Sequence, residues 1–311
     1  MSHLKDPVMR AALLVIGYAT FIGFTDNFVR VIAAEAGLWQ FHLTRTAMTL
    51  ALVAACLPFM PLRLRPLRLR AVAARSAVHG IAMLIYFGAL AFLPVAVVAA
   101  GLFTAPIFVL LITRFVYGHS IGIVRILAVA LGFAGVALVL GPQALRGASL
   151  AALMPVLAGA FYALGNVATR EWCEGESAEV LTLGFFLSLG SFGLVGVVLL
   201  TLIPHAVPEG AAGFVLRGWV WPSAAFYGWT FVQAVGSRMA IGMLVRAYQI
   251  AEASRVSVFE YSALPLAALW GWLLWAETLE GPAIAGMMLI AVAGGMIALR
   301  GRQAGEPSPT A

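Results

Sequence analysis

At 311 residues, 62% hydrophobic and only 10% charged, against roughly a quarter charged in soluble domains, the chain has too few charges to cover a water-soluble globule. Its formal net charge of +6 points to the positive-inside bias of a membrane protein rather than to nucleic acid, because of where the arginines fall. Two cysteines, Cys56 and Cys173, with no CxxC pair and no His/Cys spacing, indicate neither a disulfide framework nor a metal site.

Apolar runs long enough to cross a hydrocarbon core of about 30 Å predict ten helices. The first, at 8–32, begins near Val8 and lacks a cleavage site behind a short apolar core, so a retained span is expected; it carries Asp26 and Arg30. The second, at 38–60, places His42, Arg45, Thr46 and Thr49 on one polar face. Arg63, Arg65, Arg68, Arg70 and Arg75 then crowd one short loop, which is expected on the cytoplasmic side. With an even number of spans both termini join it there, Arg300 and Arg302 included. The opposite side holds Arg30, Arg146 and Arg217.

Helices at 76–93, 96–116 and 121–141 complete a first half; Arg114 and Arg125 flank a turn and are expected to snorkel to the cytoplasmic interface. A second half follows with helices at 149–170, 179–203, 222–247, 252–275 and 282–299, and residues 301–311 are expected as a disordered cytoplasmic tail. Trp219, Trp221, Trp229, Trp270, Trp272 and Trp275 gather near the outer ends of helices eight and nine, as belt residues do. Gly132, Gly135, Gly281, Gly286, Gly294 and Gly295 lie in the last helix of each half or at its entrance, a pattern of close helix packing or dimerisation.

The two halves repeat. Ala11-Ala12-Leu13, Phe21 and Arg30 recur 140 residues later as Ala151-Ala152-Leu153, Phe161 and Arg170, while Pro106, Gly122, Gly135 and Leu140 recur after 159 as Pro265, Gly281, Gly294 and Leu299. The expected units are 8–141 and 149–300. Five helices in each make the second enter from the opposite face. The fold class is thus an all-α polytopic membrane protein, ten transmembrane helices as two inverted five-helix repeats, an architecture suited to alternating access.

Tyr86-Phe-Gly-Ala-Leu90 with Pro106, Ala247-Tyr248 with Pro265, and Trp270-Gly-Trp-Leu-Leu-Trp-Ala-Glu277 followed by Gly281-Pro282 and Ala293-Gly294-Gly295 resemble the drug/metabolite transporter superfamily with two EamA-type halves. The likeness covers about residues 8–300. The family's acidic turn before its last helix matches Glu277; the first half has Gly118 instead. The resemblance implies a secondary transporter in a bacterial-type inner membrane and leaves the cargo open among amino acids, nucleotides, cofactors and drugs. Ser257-Val-Phe-Glu-Tyr261 is similar to a segment found among carriers of S-adenosylmethionine and related metabolites.

Ionisable residues at membrane depth cost a few kcal/mol each and are usually paired or line a polar cavity. Asp26 and Arg45 lie about 14 Å along their helices from the turn near Glu35, so they are expected to meet, either to pin two helices or to bind cargo. About the turn near Gln249, equal separations pair Arg238 with Glu260 and Arg246 with Glu252, leaving Arg255 one turn from Glu252. The resemblance places Arg238 and Glu260 in helices along a central cavity, where they are expected to contact each other or a shared ligand. Tyr86, Tyr227 and Trp270 complete the candidate binding set. Arg246, Glu252 and Arg255 read as a boundary network, and His42 as a core histidine or a proton relay.

No GxxxxGK[ST] or HExxH motif occurs, and the GxSxG spacing at Gly118-His-Ser-Ile-Gly122 falls in a short turn between two apolar runs rather than between a strand and a helix, so no catalytic residue, metal or cofactor is expected. An intramembrane enzyme and a channel remain as alternative classes. Arg45, Arg238, Arg246 and Arg255 outnumber Asp26, Glu252 and Glu260, a positive surplus matched by a small carboxylate-bearing metabolite. The expected function is export of an amino acid or an amino-acid-derived compound, opine-type metallophores included. Uptake or exchange of a cofactor-like metabolite such as S-adenosylmethionine is the alternative. Expected partners are membrane lipid and a proton or counter-substrate, with no nucleic acid, for a monomer or weak homodimer.

Overall fold

A computed structural model describes residues 6–59, 62–89, 93, 95–141, 153–203, 205–209, 211–276 and 280–303. Within them the chain forms α1 (Pro7–Asp26), α2 (Val29–Glu35), α3 (Leu38–Cys56), α4 (Leu69–Ala89), α5 (Val95–Leu102), α6 (Ala105–Phe115), α7 (Ile123–Leu140), α8 (Leu153–Glu171), α9 (Ala178–Leu202), α10 (Ala211–Leu216), α11 (Ala224–Ile250), α12 (Ala253–Glu260), α13 (Ala263–Trp275) and α14 (Gly281–Gln303). Each of the ten expected runs is met by helix. Arg146, Glu277 and the tail beyond Gln303 lie outside the described residues, as do the side chains of Arg30, Trp275, Arg300 and Arg302.

Among the described residues, seven stretches are long and apolar enough to cross a membrane, at 7–35, 69–89, 98–115, 123–140, 178–202, 253–274 and 281–299. α3, α8 and α11 supply the other three long helices, and their apolar runs are interrupted by Gln40, His42, Arg45, Asn166 and Gln233, all buried between helices. The protein is a multi-pass membrane protein whose most polar helices are the ones that face inward.

Three of the expected runs are broken. The first bends at Asn27 and Phe28, between α1 and α2. The fourth and ninth break just ahead of Pro106 and Pro265, between α5 and α6 and between α12 and α13. Proline lacks the N–H that would bond one turn back, and its ring crowds that carbonyl. The third helix begins earlier than its apolar run, at Leu69, which takes Arg70 and Arg75 out of the loop and into the helix. Polar residues in a first helical turn hide the boundary from a reading of hydrophobicity alone.

The packing partners fall into related sets. α7 lies along α14 and α3 along α9; α1 packs on α11 as α8 packs on α4, α1 on α13 as α8 on α6, and α3 on α11 as α9 on α4. Small residues set the closest approaches: a Cβ at Gly135 would lie 2.6 Å from the carbonyl oxygen of Gly286, and one at Gly286 would lie 2.5 Å from that of Gly135. These glycines join α7 to α14 within one chain.

At the arginine-rich end, the turn between α8 and α9 grips the segment before α4. The Glu176 carboxylate accepts the backbone N–H of Leu67 (3.1 Å) and Arg68 (2.6 Å), and Ser177 Oγ donates to the Arg63 carbonyl at 2.6 Å. At the other end the long connection from α9 to α11 lies against α2 and α3. The Gln40 amide both donates to and accepts from the Val220 backbone (2.8 and 3.0 Å), Trp39 Nε1 donates to the Val215 carbonyl, and the Ser223 N–H donates to Glu35.

His205 clamps that connection. Its Nδ1 lies 2.7 Å from the Ile203 carbonyl and its Nε2 2.7 Å from that of Leu216. Carbonyls only accept, so both contacts are hydrogen bonds only when the ring is doubly protonated. These bonds raise the pKa of this exposed side chain above its ordinary 6.5. The folded value lies above the unfolded one, so the clamp is fully formed below about pH 6.5 and is lost as pH rises through the raised value. Cleavage by trypsin at Arg217, in the same connection, is therefore expected to quicken from about pH 6 to about pH 8.5 more in the wild type than in His205→Ala, which should be cleaved readily at both. Equal pH ratios for the two proteins would exclude the clamp.

Candidate functional site

Between α1, α3, α4, α8, α11 and α12 lies a cavity of about 260 Å³. Spacing along three helices builds its polar wall. On α8, Tyr162, Asn166 and Thr169 follow at helical intervals and so share a face. On α4, Arg75 and His79 are one turn apart, and α1 contributes Tyr18 and Asp26. α12 ends at Glu260, which puts that carboxylate beside the break before α13.

Glu260 is 6% exposed. Its carboxylate accepts hydrogen bonds from Tyr162 Oη at 2.7 Å, Asn166 Nδ2 at 3.2 Å and Tyr248 Oη. Asn166 Oδ1 accepts from His79 Nε2 at 2.9 Å, which fixes the proton on that nitrogen and leaves Nδ1 without a partner. Gly165 lets the ring lie this close, since a Cβ there would be 2.3 Å from His79 Nδ1. Arg75, only 2% exposed, donates through Nε to Thr169 Oγ1 (2.9 Å) and through Nη1 to the Leu181 carbonyl (3.0 Å).

A second polar group is centred on Asp26, which is exposed to the cavity and accepts from Gln233 Nε2 at 3.1 Å. Arg45 donates to His42 Nδ1 at 3.1 Å, with its guanidinium 4.9 Å from the Phe41 ring centre and 5.5 Å from that of Phe186. Cation–π contact of this kind contributes about 0.5–2 kcal/mol. Among the described residues, none of Asp26, Arg45, Arg75 and Glu260 has an ion-pair partner, yet all four line one cavity.

Of the seven candidate residues, Asp26, Arg45, Tyr86 and Glu260 line this cavity. Arg238 does not. It lines a separate groove with Glu179, Arg246 and Gln249, because equal distance from a turn fixes a residue's level and leaves its direction around the helix free. Asp26 and Arg45 share the wall without forming the expected ion pair. Tyr227 packs against Phe226 in a cluster with Ile32 and Phe41, and Trp270 donates Nε1 to the Thr20 carbonyl at 3.0 Å while its ring meets Phe24; both lie in the packing around the cavity rather than among its lining residues. Glu252 takes Arg125 (2.5 Å) and Arg255 (3.1 Å) instead of Arg246, so Arg125 is bound across helices. Sequence reasoning missed Tyr18, Arg75, His79, Tyr162, Asn166 and Tyr248. One signal was present: Asn166 follows Asp26 at the 140-residue repeat spacing.

Comparison with known proteins adds the following. Residues 9–141 match the EamA-like transporter family. The chain is 24% identical over 299 residues to an uncharacterized transporter of Helicobacter pylori, covering 95% of this chain and 97% of that protein. It is 30% identical over 201 residues to a riboflavin transporter of Rhizobium johnstonii, covering 65% and 61% of the two chains. It is 26% identical over 221 residues to the pseudopaline exporter CntI of Pseudomonas aeruginosa, covering 70% and 71%. A solved structure described only as a crystal structure of a protein shares the fold, with a TM-score of 0.70 at 19% identity over 94% of this chain and 98% of the other.

Proposed function

We propose that this chain, whose residues 9–141 match the EamA-like transporter family, is a multi-pass transporter of the drug/metabolite type rather than an enzyme, and that it exports a small carboxylate-bearing metabolite, an amino acid or an amino-acid-derived compound, through the cavity around Glu260. The observation that carries this is that four charged side chains with no ion-pair partner among the described residues line one cavity. A buried charge without a partner costs several kcal/mol. A ligand bearing charges of both signs offsets that cost, with its carboxylate toward Arg45 or Arg75 and its amine toward Asp26 or Glu260.

Size supports a small cargo, since about 260 Å³ falls below the roughly 300–1,000 Å³ of sites for drug-sized ligands. The direction accords with the name of the CntI relatives. The alternative, uptake or exchange of a cofactor-like metabolite, is favoured by the riboflavin transporter likeness and by the stacked Phe28 and Trp229 rings, 4.0 Å apart. The working architecture in this proposal is a pair of units, 8–141 and 149–300, related by inversion, with both termini cytoplasmic in an inner membrane. The related packing pairs and the matched breaks before Pro106 and Pro265 support it.

Counterflow in proteoliposomes tests the reading. Labelled histidine, pseudopaline and riboflavin are offered outside, with and without the same unlabelled solute inside. Trans-acceleration by a carboxylate-bearing amine is expected. Flux that ignores the internal solute would indicate a channel, and acceleration by riboflavin alone would favour the alternative cargo class.

A further inference from the structure

Glu260 is held by neutral donors alone. Tyr162 and Tyr248 present hydroxyls and Asn166 an amide, and no cation lies within ion-pair distance among the described residues. A structural carboxylate at this depth would ordinarily be matched to an arginine or lysine, and a candidate is close by: Arg75 lines the same cavity but is committed to Thr169 and Leu181.

The donor set suits both charge states of the acid. Ionised, the carboxylate accepts all three bonds. Protonated, it becomes a donor, and a tyrosine hydroxyl can rotate to accept, since a hydroxyl both donates and accepts. No heavy atom need move, and Asn166 keeps its bond to His79 in either state.

We propose that Glu260 is an exchangeable proton site, taking up and releasing one proton while the surrounding helices stay packed. Its part in transport, coupling cargo movement to a proton gradient, rests on the cavity being the cargo site; the proton exchange itself does not.

The surroundings agree. α1 brings Tyr18 to the cavity wall, with Asp26 farther along the helix; α8 brings Tyr162 and Asn166, α11 brings Tyr248, and α4 brings Arg75 and His79. α6 and α14 meet α12 through apolar residues such as Val109 and Ala293. From α7 the charged contact is Arg125 on Glu252, at the opposite end of α12.

Dicyclohexylcarbodiimide, which reacts with protonated carboxyl groups in apolar surroundings, reads this without any cargo. The full-length protein in proteoliposomes is treated between about pH 5 and about pH 9, a range that brackets shifted carboxyl groups, and the adduct is located by peptide mass spectrometry. Labelling of Glu260 at the acid end and its loss at the alkaline end are expected, with no adduct there in Glu260→Gln. In Tyr248→Phe, which keeps the acid and removes one donor to its anion, the half-labelling pH should move upward. Labelling that stays constant across the range, or that falls on Asp26 and spares Glu260, would overturn the proposal, as would a Tyr248→Phe profile identical to the wild type. If the expected profile is obtained while counterflow shows no amine-bearing cargo, the proton site stands and the cargo reading fails.

Discussion

Replacing Arg75 by glutamine is expected to lower transport by about 30-fold or more while leaving a monodisperse protein. Glutamine can still donate to Thr169 Oγ1 or to the Leu181 carbonyl, so the bonds that fix α4 to α8 and α9 are partly kept. What disappears is the positive charge offered to a carboxylate in the cavity. Truncating one member of a buried, hydrogen-bonded charge pair typically costs about 2–5 kcal/mol, and about 2 kcal/mol corresponds to the 30-fold loss. Arg75→Leu should be worse in a different way, because it removes both bonds that tie α4 to α8 and α9 and so costs about 1–3 kcal/mol of stability as well. Counterflow and thermal unfolding measured side by side separate the two. Transport within about twofold of wild type in Arg75→Gln would remove this residue from the cargo site.

Gly135→Leu is expected to destroy folding rather than function. A Cβ at that position falls 2.6 Å from the Gly286 carbonyl oxygen and 2.9 Å from an Ile290 side-chain carbon, and the first of these is backbone that cannot swing aside. α7 and α14 would have to separate along their length. Overpacking ordinarily costs about 1–3 kcal/mol, and a backbone-to-backbone clash belongs at or above the upper end. Gly295, in α14 like Gly286, has nothing within 4 Å of its Cβ position, so Gly295→Leu serves as the matched control. Loss of the monodisperse fraction in the first variant but not in the second is the expected result. If both behave like wild type, the α7–α14 seam is not set by these glycines.

The fold was legible because the membrane imposes a coarse alphabet. Runs of about 20 apolar residues mark the helices, and the duplicated Pro106 and Pro265 mark where two of them break. The candidate site was less legible, for a geometric reason. Arg238 and Glu260 lie at equal distances from the turn at Gln249, but a separation along the axis carries no information about azimuth, and the two residues open into different spaces. Arg75 was concealed by its company: four arginines precede it within a short stretch, and only the early start of α4 makes it interior. Tyr162 and Tyr248 carry no charge and so gave no cost signal at membrane depth. The 140-residue spacing linking Asp26 with Asn166 was the one periodic clue, and it needed the two halves to be compared at polar positions as well as at apolar ones.

The grip of Glu176 and Ser177 on the segment before α4 is made to the main chain, to the N–H groups of Leu67 and Arg68 and to the carbonyl of Arg63. Main-chain groups are the same in every residue except proline, which lacks the N–H. Divergence should therefore be lopsided across this contact. Positions 63, 67 and 68 are free to drift among nearly all amino acids, proline at 67 and 68 apart, whereas positions 176 and 177 must retain a carboxylate and a hydroxyl to keep the same bonds.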